Sequence, residues 1–195
     1  MKFIAPSWDE IYSFCISLSR RIKRSRFKPD IIIGVARGGW PPARILSDLL
    51  ENPNVANIRA EFYLDIYKTR EKPRITQPVS IRVKNKQLLV VDDVADSGKS
   101  LKLVKEHLLE RGASSVKTCT IYYKPWSVIT PDYYIKETKA WVIFPWERRE
   151  SARKIGQNLK EKGKTLGEIE SQLTEIGLDN IMVREFLREI FGELD

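Results

Sequence analysis

The chain has 195 residues, of which 42% are hydrophobic and 31% are charged, so it can bury the core of one domain with an extension. No stretch reaches the roughly 20 apolar residues of a membrane span, and the N-terminus lacks the apolar run of a signal peptide, which together predict a cytoplasmic protein without a membrane segment. The formal net charge of +8 favours an anionic ligand, such as nucleic acid, a membrane surface or a polyphosphate.

Helical and strand-like patterns alternate along the first three quarters of the chain. The predicted elements are, in order, a helix at 7–22, a buried strand at 30–36, a turn and helix at 37–50, a strand at 55–63, a long loop or flexible hairpin at 64–86, a strand at 87–93, a helix at 99–112, a strand at 115–123 and a final strand at 139–145. This alternation predicts an α/β fold with a mostly parallel sheet flanked by helices. Such sheets bind ligands at the carboxyl ends of their strands.

The last quarter of the chain has helical patterns and no strand-like run. Glycines divide it into three helical pieces, of which the second begins at a capping box of Thr165 and Glu168 and the third at an N-cap, Asp179. We therefore predict a main domain over 1–147 and a C-terminal three-helix appendage over 148–195.

The stretch LLVVDDVADSGKS, residues 88–100, combines an apolar strand, two acids and a small polar turn before a helix. It is not a P-loop, because Asp93 stands where that motif requires a glycine, and a carboxylate there would repel a triphosphate. Asp92 and Asp93 can instead accept hydrogen bonds from the vicinal hydroxyls of a ribose. The turn offers helix N–H groups and the hydroxyls of Ser97 and Ser100 to a phosphate on the same sugar, which together favour a ribose 5-phosphate.

This stretch resembles the phosphoribosylpyrophosphate (PRPP) signature of type I phosphoribosyltransferases. The resemblance implies the type I phosphoribosyltransferase fold over about residues 1–147, and transfer of 5-phosphoribose from PRPP to a nitrogenous base with release of pyrophosphate and the assistance of Mg²⁺. It places Asp96 near the purine N7 as the candidate general base. The implied ribose and 5-phosphate ligands are Asp92, Asp93, Ala95, Asp96, Ser97, Gly98, Lys99 and Ser100.

Two other segments are similar to parts of the family that contact pyrophosphate. In GVARGG, Arg37 would hold the leaving group as a catalytic residue, Gly38 and Gly39 would allow close approach of the backbone, and the Ala36–Arg37 peptide bond would be cis. The segment YLDIYKTREKPR resembles the mobile flap of the family and offers Tyr67, Lys68 and Arg70 to pyrophosphate. A basic solvated loop is the alternative interpretation of that second segment.

The segment from 120 to 147 resembles the base-binding region of the short xanthine–guanine and archaeal purine phosphoribosyltransferases. The resemblance implies that Lys124 donates to a purine exocyclic oxygen, that Trp141 stacks on the ring, and that the Val142 backbone reads the base edge. A lysine has three donors and no acceptor, so it favours a 6-oxo over a 6-amino group. Glu147 would join Asp92 and Asp93 in holding Mg²⁺, and a surface carboxylate is the alternative interpretation of this residue.

The base remains open between adenine and a 6-oxopurine, because the appendage resembles that of some archaeal adenine phosphoribosyltransferases. The expected reaction is purine salvage at N9, with PRPP and a purine base as substrates and the nucleoside 5'-monophosphate and pyrophosphate as products. A homodimer is the usual form of the family. The alternative is a regulator that senses PRPP or nucleotides and binds nucleic acid, although acidic residues near the C-terminus, such as Glu185 and Glu189, would repel phosphates.

Overall fold

A computed structural model describes residues 2–63 and 72–192, which form two compact units. The larger unit is Asp9–Lys139, and the smaller combines Met1–Trp8 with Ala140–Asp195. The elements are β1 (Phe3–Ile4), α1 (Trp8–Arg24), β2 (Ile31–Ala36), α2 (Trp40–Leu49), β3 (Val55–Tyr63), β4 (Lys72–Gln77), β5 (Gln87–Ala95), α3 (Lys99–Glu110), β6 (Ser115–Tyr123), β7 (Lys136–Glu137), β8 (Trp141–Val142), a 3-10 turn (Pro145–Glu147), α4 (Arg148–Glu161), α5 (Leu166–Glu175) and α6 (Asn180–Phe191).

The larger unit contains a six-stranded sheet in the order β4-β3-β2-β5-β6-β7. All of its neighbouring strands are parallel except β3 and β4, which confirms the predicted mostly parallel sheet. Strand β2 is a continuous apolar run and β5 contains one from Leu88 to Val91, as expected of a parallel sheet whose two faces are covered by helices. Leu101 and Leu108 of α3 pack into the cluster that contains Val90, and Phe14 of α1 contacts Tyr122 of β6.

Four strands differ from the prediction. Strand β5 continues two residues beyond the predicted end at Asp93, through Val94 to Ala95. Residues Lys72–Gln77 pair antiparallel with β3, which supports the hairpin alternative for this part of the predicted loop. The predicted final strand is only two residues long, Trp141–Val142. It pairs with Phe3–Ile4 of the N-terminal segment and does not join the six-stranded sheet. Strand β7 occupies the edge of the main sheet instead.

The smaller unit contains the three predicted C-terminal helices. Thr165 and Glu168 form the predicted capping box of α5, and Asp179 accepts a hydrogen bond from the Met182 N–H at the start of α6. The unit is wider than the predicted appendage, because β1, β8 and the 3-10 turn belong to it and Ile143 is part of its buried apolar cluster. Within 2–63 and 72–192, none of the helices is long and apolar enough to cross a membrane.

Candidate active site

The carboxyl ends of the neighbouring parallel strands β2 and β5 bring two predicted segments together. Gly34 of β2 is level with Val91 of β5, so the loop after Ala36 and the aspartates after Val91 lie at the same edge of the sheet. A Cβ atom built on Gly38 would lie 1.9 Å from Asp93 Oδ2, which shows that the loop and the carboxylate are in direct contact. The structure therefore joins the Arg37 loop to the aspartate pair.

The loop between β2 and α2 depends on its glycines. A Cβ on Gly39 would lie 2.2 Å from the Val91 carbonyl oxygen, and a side chain there would collide with backbone that cannot give way. The Ala36–Arg37 peptide bond is cis, as the resemblance implied. Arg37 is exposed at the tip of this loop, where its guanidinium can meet an anion from solvent.

The aspartate pair is organised by its own backbone. The Asp93 N–H donates to Asp92 Oδ1 at 3.0 Å, and the Val94 N–H donates to Asp93 Oδ1 at 2.7 Å. Loss of hydration, followed by the nearby negative charge of Asp93, raises the pKa of Asp92 well above its ordinary value of 3.8. Two crowded carboxylates of this kind are stabilised by hydroxyl donors or by a cation.

A tight turn follows the aspartates and opens α3. Gly98 stands at the N-cap with a positive φ of 71°, and helix α3 begins at Lys99. The N–H groups of the first turn of a helix attract phosphate, and Ser97 places its hydroxyl beside them, with Oγ 3.4 Å from the Lys99 nitrogen. The predicted phosphate turn thus lies directly between the end of β5 and the start of α3.

Lys124 follows directly after β6 and is held beside this turn. Its backbone N–H donates to the Ala95 carbonyl at 3.0 Å, and the residue is only 5% exposed. Burial lowers the pKa of Lys124 from its ordinary value of 10.5, while the negative charge of Asp96 acts in the opposite direction. The structure therefore brings Lys124 close to Asp96.

Trp126 is a site residue that sequence reasoning missed. Its indole Nε1–H donates to Asp96 Oδ1 at 3.0 Å, and its ring centroid lies 5.6 Å from Lys124 Nζ. The available signal was an aromatic residue two positions after Lys124, at the end of a parallel strand. The sequence did not predict a role for Trp126, because its partner Asp96 is 30 positions away in the sequence.

The remaining candidate residues lie in the smaller unit. Trp141 is 47% exposed and lines a cavity of about 630 Å³ together with Phe3, Glu150, Ile155 and Gln172. Val142 is buried, and Glu147 Oε1 accepts a hydrogen bond from the Phe144 N–H at 3.3 Å, which closes the 3-10 turn.

The structure leaves two parts of the predicted site untested, the metal ligands and the flap. No three His, Cys, Asp or Glu side chains gather into a metal-binding group anywhere in residues 2–63 and 72–192, so the joint role of Asp92, Asp93 and Glu147 in binding a cation stays a prediction. Tyr67, Lys68 and Arg70 of the predicted flap lie outside the described residues.

Comparisons with known proteins agree with this geometry. A family model described as a phosphoribosyl transferase domain matches residues 7–151. The xanthine-guanine phosphoribosyltransferase of Idiomarina loihiensis is 31% identical over 144 residues, which cover 72% of this chain and 84% of that protein. The enzyme of the same name from Gluconobacter oxydans is 27% identical over 147 residues, covering 74% and 84%. A solved structure of a purine phosphoribosyltransferase from Pyrococcus horikoshii has a TM-score of 0.68 and 38% identity, covering 75% of this chain and 94% of that one.

Proposed function

The chain belongs to the phosphoribosyl transferase domain family and is a phosphoribosyltransferase, and on that premise we propose that it transfers 5-phosphoribose from PRPP to N9 of a 6-oxopurine. The products are the purine nucleoside 5'-monophosphate and pyrophosphate. The observation that carries the proposal is the meeting of the Arg37 loop, the aspartate pair and the turn before α3 at one edge of the sheet. PRPP offers a matching pyrophosphate, ribose diol and 5-phosphate.

The chemistry follows from the charges that develop as the bond from C1 of the ribose to pyrophosphate breaks. Arg37 stabilises the negative charge of the departing pyrophosphate. Asp92 and Asp93 accept hydrogen bonds from the ribose hydroxyls and offset the positive charge that grows on the sugar. Asp96 accepts the proton that the purine loses when it attacks C1, which makes this carboxylate the general base.

The aspartate pair suits Mg²⁺. Carboxylate oxygens are ligands that Mg²⁺ prefers. Loss of hydration, followed by the nearby negative charge of Asp93, raises the pKa of Asp92, and a bound cation would favour the charged form of this carboxylate. When bound, Mg²⁺ would neutralise charge on the pyrophosphate. Glu147 stays a proposed third contributor to this site.

The choice of a 6-oxopurine rests on Lys124 and on the relatives. A buried ammonium group offers only donors, and an exocyclic oxygen accepts them whereas the 6-amino group of adenine does not. Both curated relatives described above are named for xanthine and guanine, so adenine gains no support from them. Trp141 would stack on the base, since its ring is half exposed, and the Val142 backbone would read the base edge.

The test is pyrophosphate release from PRPP and Mg²⁺ with hypoxanthine, guanine, xanthine and adenine supplied separately. Turnover with the oxopurines is the expected result. Turnover with adenine alone would contradict the role proposed for Lys124. No turnover with any base would overturn the reaction and favour a PRPP-sensing regulator, which salt-sensitive binding to nucleic acid would then support. Light scattering on the same sample tests the proposed homodimer.

A further inference from the structure

The segment that follows β6 contains a tryptophan in direct contact with the proposed general base. The Trp126 indole Nε1–H donates to Asp96 Oδ1 at 3.0 Å, across 30 positions of sequence. Trp126 is 54% exposed, so burial of its ring gives little reason for a tryptophan at this position. We propose that Trp126 is a positioning residue, whose indole N–H holds the Asp96 carboxylate in the orientation that accepts the purine proton. This inference rests on the proposed function.

The backbone around Trp126 is fixed against the phosphate turn. The Val128 N–H donates to the Ser97 carbonyl at 3.0 Å, and the Ser127 N–H donates to the Lys124 carbonyl at 3.0 Å. A Cβ on Gly98 would lie 2.2 Å from Ser127 Oγ, so the two segments are packed as closely as a glycine permits. The segment that contains Trp126 is therefore hydrogen-bonded to the same turn that contains Asp96, which fixes the position of the indole relative to the carboxylate.

Trp126 also contacts the second group that would touch the base. Lys124 Nζ lies 5.6 Å from the centroid of its ring, within range of a cation–π interaction. Lys124 is proposed to bind the exocyclic oxygen of the purine, and Asp96 is proposed to act near N7. One side chain thus adjoins both proposed contacts with the base, which is the arrangement expected of a residue that sets their orientation.

The physical advantage is a reduction of the carboxylate's freedom. Asp96 is exposed, and an exposed aspartate samples several side-chain rotations. A hydrogen bond to Oδ1 restricts that rotation before the purine arrives, and orientation of a catalytic group to within a fraction of an ångström contributes directly to rate. Loss of the N–H should therefore slow the chemical step and leave the binding of PRPP and purine almost unchanged.

The experiment compares Trp126→Phe and Trp126→Leu with the wild-type enzyme in steady-state assays with hypoxanthine. Both variants remove the N–H while differing in shape, and each should lose about tenfold in kcat, since a hydrogen bond to a charged group contributes about 1.5 kcal/mol. The KM values for PRPP and hypoxanthine should stay within about twofold. Trp8→Phe is the matched control, because Trp8 is 52% exposed and has no part in the proposed site.

A double-mutant cycle separates positioning from general structural support. In an Asp96→Ala background, Trp126→Phe should change kcat by less than about twofold, because the carboxylate that it orients is gone. Equal losses in both backgrounds would overturn the inference, as would wild-type kcat in Trp126→Phe. A raised KM for hypoxanthine with unchanged kcat would also overturn it, because it would make Trp126 a base-binding residue. A wild-type protein without turnover would overturn the proposed function and this inference together.

Discussion

At residue 38 the site has space for a hydrogen atom and not for a methyl group, because a Cβ would lie 1.9 Å from Asp93 Oδ2. We expect Gly38→Ala to displace the Asp93 carboxylate and to weaken PRPP binding by about tenfold or more, since a contact with a charged group is lost. Isothermal titration with PRPP and Mg²⁺ measures this. Gly167→Ala is the matched control, because a Cβ there meets nothing within 4 Å. Unchanged PRPP affinity in Gly38→Ala would contradict the proposed role of Asp93.

A substitution at Asp96 can separate the contribution of this residue to proton transfer from any contribution to PRPP binding. We expect Asp96→Asn to lower kcat by about 10²–10⁴-fold, the usual contribution of a general base, because the amide accepts a hydrogen bond and does not take up a proton. The PRPP dissociation constant should change little. Steady-state kinetics and titration measure the two quantities, with Asp48→Asn on the exposed face of α2 as control. Wild-type turnover in Asp96→Asn would remove this residue from the proposed mechanism.

Lys124 combines a buried side chain with a pKa that burial lowers. We expect Lys124→Met, which keeps the length and loses the donors, to raise the KM for hypoxanthine by about 10–100-fold, because the exocyclic oxygen loses a charged partner. PRPP affinity should be nearly unchanged. The control is Lys102→Met, whose side chain is 57% exposed on α3. A Lys124→Met enzyme that keeps its KM for hypoxanthine would show that another group reads the base.

At the scale of elements, one aspartate connects strand β6 to the loop that follows it. Asp132 Oδ2 accepts from the Thr118 N–H at 2.8 Å and from Thr118 Oγ1 at 2.9 Å, and Lys117 Nζ lies 2.8 Å from Oδ1. We expect Asp132→Ala to lower the free energy of unfolding by about 1–3 kcal/mol, because it leaves two donors of the fully buried Thr118 without this acceptor. Denaturant unfolding followed by circular dichroism measures the loss, and a change near zero would contradict it.

The same carboxylate gives the stability a defined pH dependence. Burial raises the pKa of Asp132, but hydrogen bonds from Lys117 and Thr118 and the charge of Lys105 outweigh it, so the pKa lies below its ordinary 3.8. A depressed pKa in the folded state adds stability above the unfolded value, and that stability is lost as pH falls through the folded value. The difference between wild type and Asp132→Ala should be constant above about pH 5 and narrow below about pH 4. A difference that widens on acidification would contradict this assignment.

At the scale of the whole molecule, each compact unit has its own buried apolar cluster. Leu173 is fully buried in the cluster of the smaller unit. We expect Leu173→Ala to lower the stability of that unit by about 2–5 kcal/mol, through lost apolar burial and a residual cavity. Hydrogen exchange of backbone amides in α4, α5 and α6 should accelerate accordingly. The control Ile181→Ala, at a side chain that is 77% exposed, should leave exchange unaltered. Equal exchange in both variants would contradict the cluster's role.

Much of the fold could be predicted because the relevant signals are local. The bounds of β3 and β6 follow from short runs of apolar and β-branched residues, and the start of α5 follows from the spacing of Thr165 and Glu168. The candidate site could be proposed from the sequence because a strand, two acids, a small polar turn and a helix start are contiguous in residues 88–100. The end of β5 was placed two residues short, at Asp93, because two consecutive acids are typical of the end of a buried strand, whereas Val94 and Ala95 still pair with β6.

By itself the sequence determined the α/β alternation, the caps of α5 and α6, and the strand, turn and helix of residues 87–110, because each depends on neighbours within a few positions. The tertiary structure decided that Gly38 touches Asp93, that Trp126 binds Asp96, and that β8 pairs with β1. It also decided that Lys124 is buried. These facts depend on which distant segments become neighbours when strands align in parallel, and no local spacing of residue types encodes that choice.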